Sequence, residues 1–315
     1  MTSSIASLRR LATPHDTRRA SPGNATRWIL AWTGLLASSL MPLAAQAIDV
    51  DPADFVPAPA GTTAGLFYLQ HVERDSLYSH GHQPLDDPRL DSNIGIARLV
   101  HYTQIGGVTV APQILQPFGR LEASHDTQAL GDASGLADTI LAMPFWLIND
   151  PQARSYLAIA PYLFLPTGRY NHDHTLNLGE NRWKFDLQVG YVKGLSAAWY
   201  LDLTGDVMFF GKNDDYTAAK TTLEQKPLYQ GQAALRYQFS PGANAFVGLS
   251  QTWGGESRVA GEDLDDEARQ RKITIGGSYF IQPKTQLMVS IGRDLEVENG
   301  FKEDARLNIR LLQIF

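Results

Sequence analysis

The sequence predicts an all-β chain, folded as a closed antiparallel transmembrane β-barrel of about twelve strands with short periplasmic turns and long outer loops. Three observations predict it. Apolar and polar residues alternate with period two along most of the chain, and helical periodicity is scarce. The connections between these segments are alternately short and long, which a soluble sandwich has no reason to maintain. After residue 47 no stretch approaches 18 consecutive apolar residues, so no membrane-crossing helix is expected. The mean hydropathy of −0.21, that of an ordinary soluble protein, then follows because half of each strand faces a polar lumen.

Composition narrows the function classes. The 315 residues are 43% hydrophobic and 19% charged, with 10% aromatics, 27 glycines and no cysteine. This is not a disordered chain. Disulfide scaffolds, thiol catalysis, iron–sulfur clusters and Cys-ligated zinc are excluded. The net charge of −6 argues against a nucleic-acid partner, which calls for a basic surface. No cofactor is implied.

The first 47 residues read as a cleaved signal peptide. Arg9, Arg10, Arg18, Arg19 and Arg27 precede an apolar run from Trp28 to Leu40, and Ala45-Gln46-Ala47 supplies a small-x-small cleavage site. Of the 27 basic and 33 acidic side chains, cleavage after Ala47 removes five and one, leaving a net of −10. Residues 48–61, with Pro52, Pro57 and Pro59, cannot form a strand interior. They form either a disordered periplasmic leader or a short plug entering the lumen.

The barrel is expected over 62–315, with strands near 62–73, 92–104, 107–118, 135–148, 154–166, 182–193, 197–211, 227–239, 243–254, 267–280, 285–294 and 301–315. In the sixth, Trp183, Phe185, Leu187, Val189 and Tyr191 oppose Lys184, Asp186, Gln188 and Gly190. In the seventh, Trp199, Leu201, Leu203, Val207 and Phe209 oppose Tyr200, Asp202, Thr204 and Asp206. Ile273, Ile275 and Tyr279 oppose Lys272, Thr274 and Ser278 in the tenth; Leu287, Val289 and Ile291 oppose Gln286, Ser290 and Gly292 in the eleventh. In the last, Leu307, Ile309 and Leu311 oppose Arg306, Asn308 and Arg310. Short turns such as Ile105-Gly106-Gly107, Ser240-Pro241-Gly242 and Gln282-Pro283-Lys284 alternate with longer polar loops near 74–91, 119–134, 167–181, 212–226, 255–266 and 295–300. Tyr102, Phe118, Trp146, Tyr170, Trp183, Trp199, Tyr229, Trp253 and Tyr279 lie near strand ends, where interfacial girdles form.

The inward faces carry the candidate site. Lys184, Asp186, Asp202, Asp206, Arg236, Lys272, Asp294, Arg306 and Arg310 are expected to line the lumen, since a charge facing lipid near the midplane costs about 2–4 kcal/mol. They are either a selectivity lining with a transverse field or a salt-bridge network that fills the interior. Tyr162, Phe164, Met208 and Phe210 on the same side offer an apolar route. His71 and His101 alternate onto the presumed inward face.

Residues 48–61, Leu90-Asp91-Ser92, His101-Tyr102, Pro112 to Phe118, Pro166-Thr167-Gly168-Arg169-Tyr170 and Asn177-Leu178-Gly179-Glu180-Asn181-Arg182-Trp183 together resemble the transporter-like outer-membrane family linked to the meta-pathway of phenol degradation. The resemblance spans roughly 48–315. It implies a Gram-negative outer-membrane barrel that passes small hydrophobic or aromatic solutes, and it brings no catalytic residue. Phe315, with Leu311 and Ile309 behind it, resembles the signal read by the barrel-assembly machinery, although Gln313 departs from that pattern. Lipid and lipopolysaccharide are the expected surroundings.

Other chemistry is less well supported. His172-Asp173-His174 could contribute metal ligands, but two histidines at i and i+2 in a polar loop are more often solvated. The acidic run Glu262 to Glu267 lacks the spacing and turn glycine of a defined calcium loop, and Ser124-His125-Asp126 is a run of loop neighbours, not a triad. The expectation is therefore a passive channel. The rivals are a barrel-embedded enzyme acting on lipid or lipopolysaccharide, and a plugged structural or adhesive barrel.

Overall fold

The computed structural model describes residues 49–315; the signal-peptide reading falls on 1–47, outside the described residues. Twelve strands form the wall: β1 (Thr63–Glu73), β2 (Pro88–His101), β3 (Gln113–His125), β4 (Thr139–Ala142), β5 (Ser155–Leu165), β6 (Lys184–Gly194), β7 (Trp199–Phe210), β8 (Leu228–Ser240), β9 (Ala243–Gly254), β10 (Ala268–Gln282), β11 (Thr285–Val297) and β12 (Ala305–Ile314). Each pairs antiparallel with its sequence neighbours. The first and last pair from Ala64↔Ile314 to Glu73↔Ala305, closing the sheet. Closure satisfies the backbone groups that lipid cannot.

The faces follow the alternation. Phe67, Leu99, Leu163, Phe185, Leu203, Val247, Ile275, Val289 and Leu311 are exposed on the outside, and this belt contacts membrane lipid. No helix among the described residues is long and apolar enough to cross a membrane; the strands do so instead.

Several expectations need correction. The strand expected over 135–148 is broken into Asp132–Leu136, Thr139–Ala142 and Phe145–Asp150. Pro144, which has no N–H for a ladder, separates the last two. The second and third strands are offset from their expected bounds because Thr103–Ile105 and Val108–Val110 form a separate periplasmic hairpin. Its turn puts Gly106 and Gly107 at φ +58° and +83°, which glycine adopts without steric cost. The hairpin's second strand pairs with Phe145 and Trp146.

His71 and His101 point outward. His71 bonds Asn93 (2.8 Å) and His101 bonds Thr63 (2.8 Å). They share a face with Phe67, Leu69 and Leu99, and only the deeper part of that face needs to be apolar. Trp183, Trp199, Tyr229, Trp253 and Tyr279 are exposed as a girdle requires. Trp146 is not: it is buried and donates through Nε1 to the Phe55 carbonyl (2.8 Å). Tyr102 lies beside Trp146 with ring centroids 5.9 Å apart and the planes tilted by 42°, and Tyr170 bonds Asp215 in the outer loops.

Candidate functional site

The lumen is occupied by residues 49–56, which hold to the inner wall through side-chain chemistry instead of strand pairing. Asp49 accepts from Gln230 (3.1 Å), Lys272 (3.1 Å) and Arg306 (3.0 Å). Asp51 and Asp54 both meet Arg310 (2.9 and 3.0 Å), and Asp54 also meets Arg98 (2.9 Å). The backbone N–H of Val50 donates to Gln232 (3.2 Å) and that of Ala53 to Asp202 (2.9 Å). Phe55, 5% exposed, packs against Gly190 so closely that a Cβ there would lie 2.0 Å from its ring.

The charges explain this seating. Burial works to raise Asp49, but Lys272 and Arg306 outweigh it and hold its carboxyl below the usual carboxylate range. At Asp51 burial prevails over Arg310, Asp54 adds repulsion, and the carboxyl is pushed up to about 6. The segment thus brings three acids to a wall of arginines and a lysine.

All nine charged residues expected in the lumen are buried inside the barrel, but they belong to several separate groups. Lys272, Arg306 and Asp294 meet around Glu303, which is fully buried between β11 and β12. Glu303 takes Lys272 at 3.1 Å, Arg74 at 3.2 Å and Arg306 Nε at 2.7 Å, while Asp294 accepts its backbone N–H at 2.7 Å. Burial opposes ionisation of Glu303, yet the surrounding cations hold it well below the ordinary range. Arg236 pairs with Asp202 at 3.1 Å. Arg310 serves the N-terminal segment. Lys184 joins Glu180 and lies 4.5 Å over the Phe164 ring. Asp186 and Asp206 remain apart, with no hydrogen-bond partner among the described residues.

The sequence reading missed Arg74, Arg98, Glu180 and Glu303. Arg98 alternates with outward Leu99 in β2, so the period-two pattern was sufficient to find it. Glu180 and Glu303 lie in loops that turn back into the barrel, where no periodicity applies. The outer loop 166–183 is drawn inward because Asp138 accepts the N–H groups of Gly168 (2.9 Å) and Glu180 (3.1 Å). A Cβ on Gly168 would lie 2.6 Å from Gly179, so the two loop motifs are in direct backbone contact. Leu176 and Leu178 are buried there with Leu90 and Leu121.

Between the N-terminal segment and the β1–β5 side of the wall lies a cavity of about 280 Å³. Ile96, Leu115, Ile140 and Phe164 give it an apolar side; Tyr68 and Arg98 give it a polar one. No group of three or more His, Asp or Glu suited to a metal occurs among the described residues. His172 turns to Asp215 (3.0 Å), His125 to Asp87 (2.9 Å), and Asp126 accepts the Asp87 N–H. The Asp263 and Asp266 carboxylates hold Arg258 and the Ser257 N–H.

Residues 74–311 match the family described as "Putative MetA-pathway of phenol degradation". The chain belongs to that family. An outer membrane channel from Pseudomonas putida F1 is 44% identical and superposes with a TM-score of 0.83, over 85% of this chain and 100% of the other. The β domain of the Bordetella autotransporter BrkA, 12% identical with a TM-score of 0.51 over 82% of this chain and 100% of that one, shares the fold alone. No curated protein sequence matches. This member of the phenol-degradation family is a Gram-negative outer-membrane β-barrel.

Proposed function

We propose that this barrel is an outer-membrane channel for passive uptake of small amphipathic molecules of the aromatic, phenol-like class, and that it carries no enzymatic activity. The observation that carries this reading is the lumenal cavity of about 280 Å³. Its apolar side suits an aromatic ring, and Tyr68 and Arg98 can meet one polar substituent. Asp51, Asp54, Arg74 and Lys184 also line it, and an apolar face beside convergent polar groups suits an amphipathic solute. The 44% identical channel and the family's description support the same reading.

In this proposal residues 49–56 are a plug whose displacement opens the path, and the nine lumenal charges set selectivity once it is displaced. Phe315, Leu311 and Ile309 serve assembly, and lipopolysaccharide surrounds the outer rim. The test is single-channel conductance of the folded mature protein in a planar bilayer, with and without phenol. Discrete steps blocked by phenol support the proposal. Silence from folded protein favours the plugged structural reading, which the contacts of residues 49–56 recommend as the alternative.

A further inference from the structure

Asp186, Gln188 and Asp206 form a small polar cluster on the inner wall that the ion pairs described above leave out. Gln188 on β6 is the direct cross-strand partner of Asp206 on β7, and Asp186 is two residues before Gln188 on the same face. Asp186 and Gln188 are 0% exposed and Asp206 is 8% exposed. Twelve buried side-chain polar atoms lack a hydrogen-bond partner among the described residues. Six of them are the four carboxylate oxygens of the two aspartates and the amide oxygen and nitrogen of Gln188. The Gln188 amide faces the Asp206 carboxylate outside hydrogen-bond geometry. The adjoining wall positions leave these atoms unmet. Ala160 lies across from Gln188, and Tyr162 and Met208 lie across from Asp186 on its two sides. Gln230, across from Asp206, is bonded to Asp49 and Gln232.

Buried charge persists only when it is paired or coordinates a metal. The nearby basic side chains already hold other acids: Lys184 holds Glu180, Arg236 holds Asp202, and Lys272 and Arg306 hold Asp49 and Glu303. The counter-charge must therefore come from solution, and the register sets the room it has. Directly paired side chains stand about 4.5–5.5 Å apart and diagonal ones about 7–8 Å; Asp206 is direct to Gln188 and diagonal to Asp186. At that spacing two carboxylates and the longer glutamine arm can converge on one ion with oxygens about 2.3–2.6 Å from it. The donors name the ion. Carboxylate and amide oxygens without histidine are the set that hard cations take, and two carboxylates balance a divalent one. Magnesium keeps several of its waters, whereas calcium accepts bidentate carboxylates and amide carbonyls. A site made of side chains this deeply buried suits the ion that sheds its water.

We propose that Asp186, Gln188 and Asp206 form a calcium site on the lumenal wall, where both carboxylates and the Gln188 carbonyl bind one ion. The site goes beyond the channel reading and does not depend on which solute passes. The ion ties β6 to β7 from the lumenal side. It sits one step along the same face from Gly190, where Phe55 is seated. It also changes the charge of the lining. Lys184, Arg236, Lys272, Arg306 and Arg310 then face Asp202 and Asp294 alone among the acids of that set, because the ion neutralises Asp186 and Asp206.

The experiment uses protein purified from the outer membrane, unfolded in urea with EGTA and refolded in detergent, which removes lipopolysaccharide and its calcium. Folded barrel, recognised by heat-modifiable gel migration, is expected to bind one equivalent of calcium in equilibrium dialysis. Its melting temperature is expected to rise with calcium, as for any ligand that binds only the folded state. In the Asp186→Asn/Asp206→Asn double variant the affinity is expected to fall at least tenfold and the rise to vanish. That variant also loses the repulsion between the two acids. In calcium-free buffer it is expected to melt no lower than the wild type, which separates lost binding from lost fold. Glu262→Gln/Asp265→Asn, in the exposed acidic run of the outer loops, is expected to keep the equivalent. Binding that survives the wall variant, or disappears with the loop variant, overturns the proposal. Equal occupancy by magnesium at the same concentration overturns the assignment to calcium. Folded wild type that binds no calcium, while the double variant melts higher, overturns the site in favour of two carboxyls sharing a proton.

Discussion

Replacing Gly190 with alanine tests whether the N-terminal segment is a removable plug. A Cβ at this position would lie 2.0 to 2.3 Å from three atoms of the Phe55 ring, far inside van der Waals contact. Strand β6 is paired along its length to β5 and β7, so the wall cannot retreat and the ring must leave. Burying a phenylalanine side chain contributes about 1.5–3 kcal/mol. At about 1.4 kcal/mol per tenfold, the balance between seated and lifted segment shifts roughly 10–150-fold toward lifted. Because the new methyl faces the lumen, barrel assembly is expected to be unchanged. The assay is planar-bilayer conductance together with limited proteolysis of residues 49–61. Open probability and cleavage at 49–61 should both rise. Phe55→Ala should act in the same direction, and the double variant should fall well short of additivity, because each change removes the same contact. Wild-type conductance and protease resistance in Gly190→Ala, from protein confirmed as folded, would refute the plug reasoning.

Three further predictions follow from the geometry. Arginine at Leu187 faces lipid and should cost about 2–4 kcal/mol at mid-depth, blocking assembly as read by heat-modifiable gel migration; asparagine at the lumenal Asp186 should assemble, and equal tolerance at both sites would undo the face assignment. Asp51, pushed up to about 6 in the seated segment against its ordinary 3.8, binds a proton more tightly when seated. Seating is therefore stabilised as pH falls through about 6, and that stabilisation is absent above it; conductance should drop between pH 7 and 5, and Asp51→Asn should flatten the profile. Valine at Gly168 would drive its side chain into the backbone of Gly179 and Ala137; loop 166–183 should then become protease-sensitive in the folded barrel, and an unchanged digestion pattern would show that the loop is held by other contacts.

The fold was legible in the sequence because lipid enforces it locally. Each strand must alternate, and in β6, β7, β10, β11 and β12 the alternation named the outward residues and the lumenal charges from a few positions at a time. The same rule would have yielded Arg98. It failed where a side chain's environment depends on something other than its own strand. Trp146 has the composition of a girdle residue, yet the Phe55 carbonyl holds it inside. His71 and His101 sit on outward faces at heights where polar groups are allowed. The strand expected over 135–148 is interrupted where Asp138 turns to hold loop 166–183.

The sequence by itself determined that this chain is a cysteine-free barrel with charge inside and apolar surface outside. A period-two pattern and alternating loop lengths are short-range properties that survive without any knowledge of distant contacts. Only the tertiary structure decided which charges meet. Asp49 reaches Lys272 and Arg306, Asp51 reaches Arg310, and Glu303 gathers Arg74 from the other end of the barrel sequence. Those pairings depend on closure of β12 onto β1 and on the path of a proline-rich segment through the lumen. Ion pairing acts over a few ångströms in space regardless of separation along the chain, so no local pattern records it.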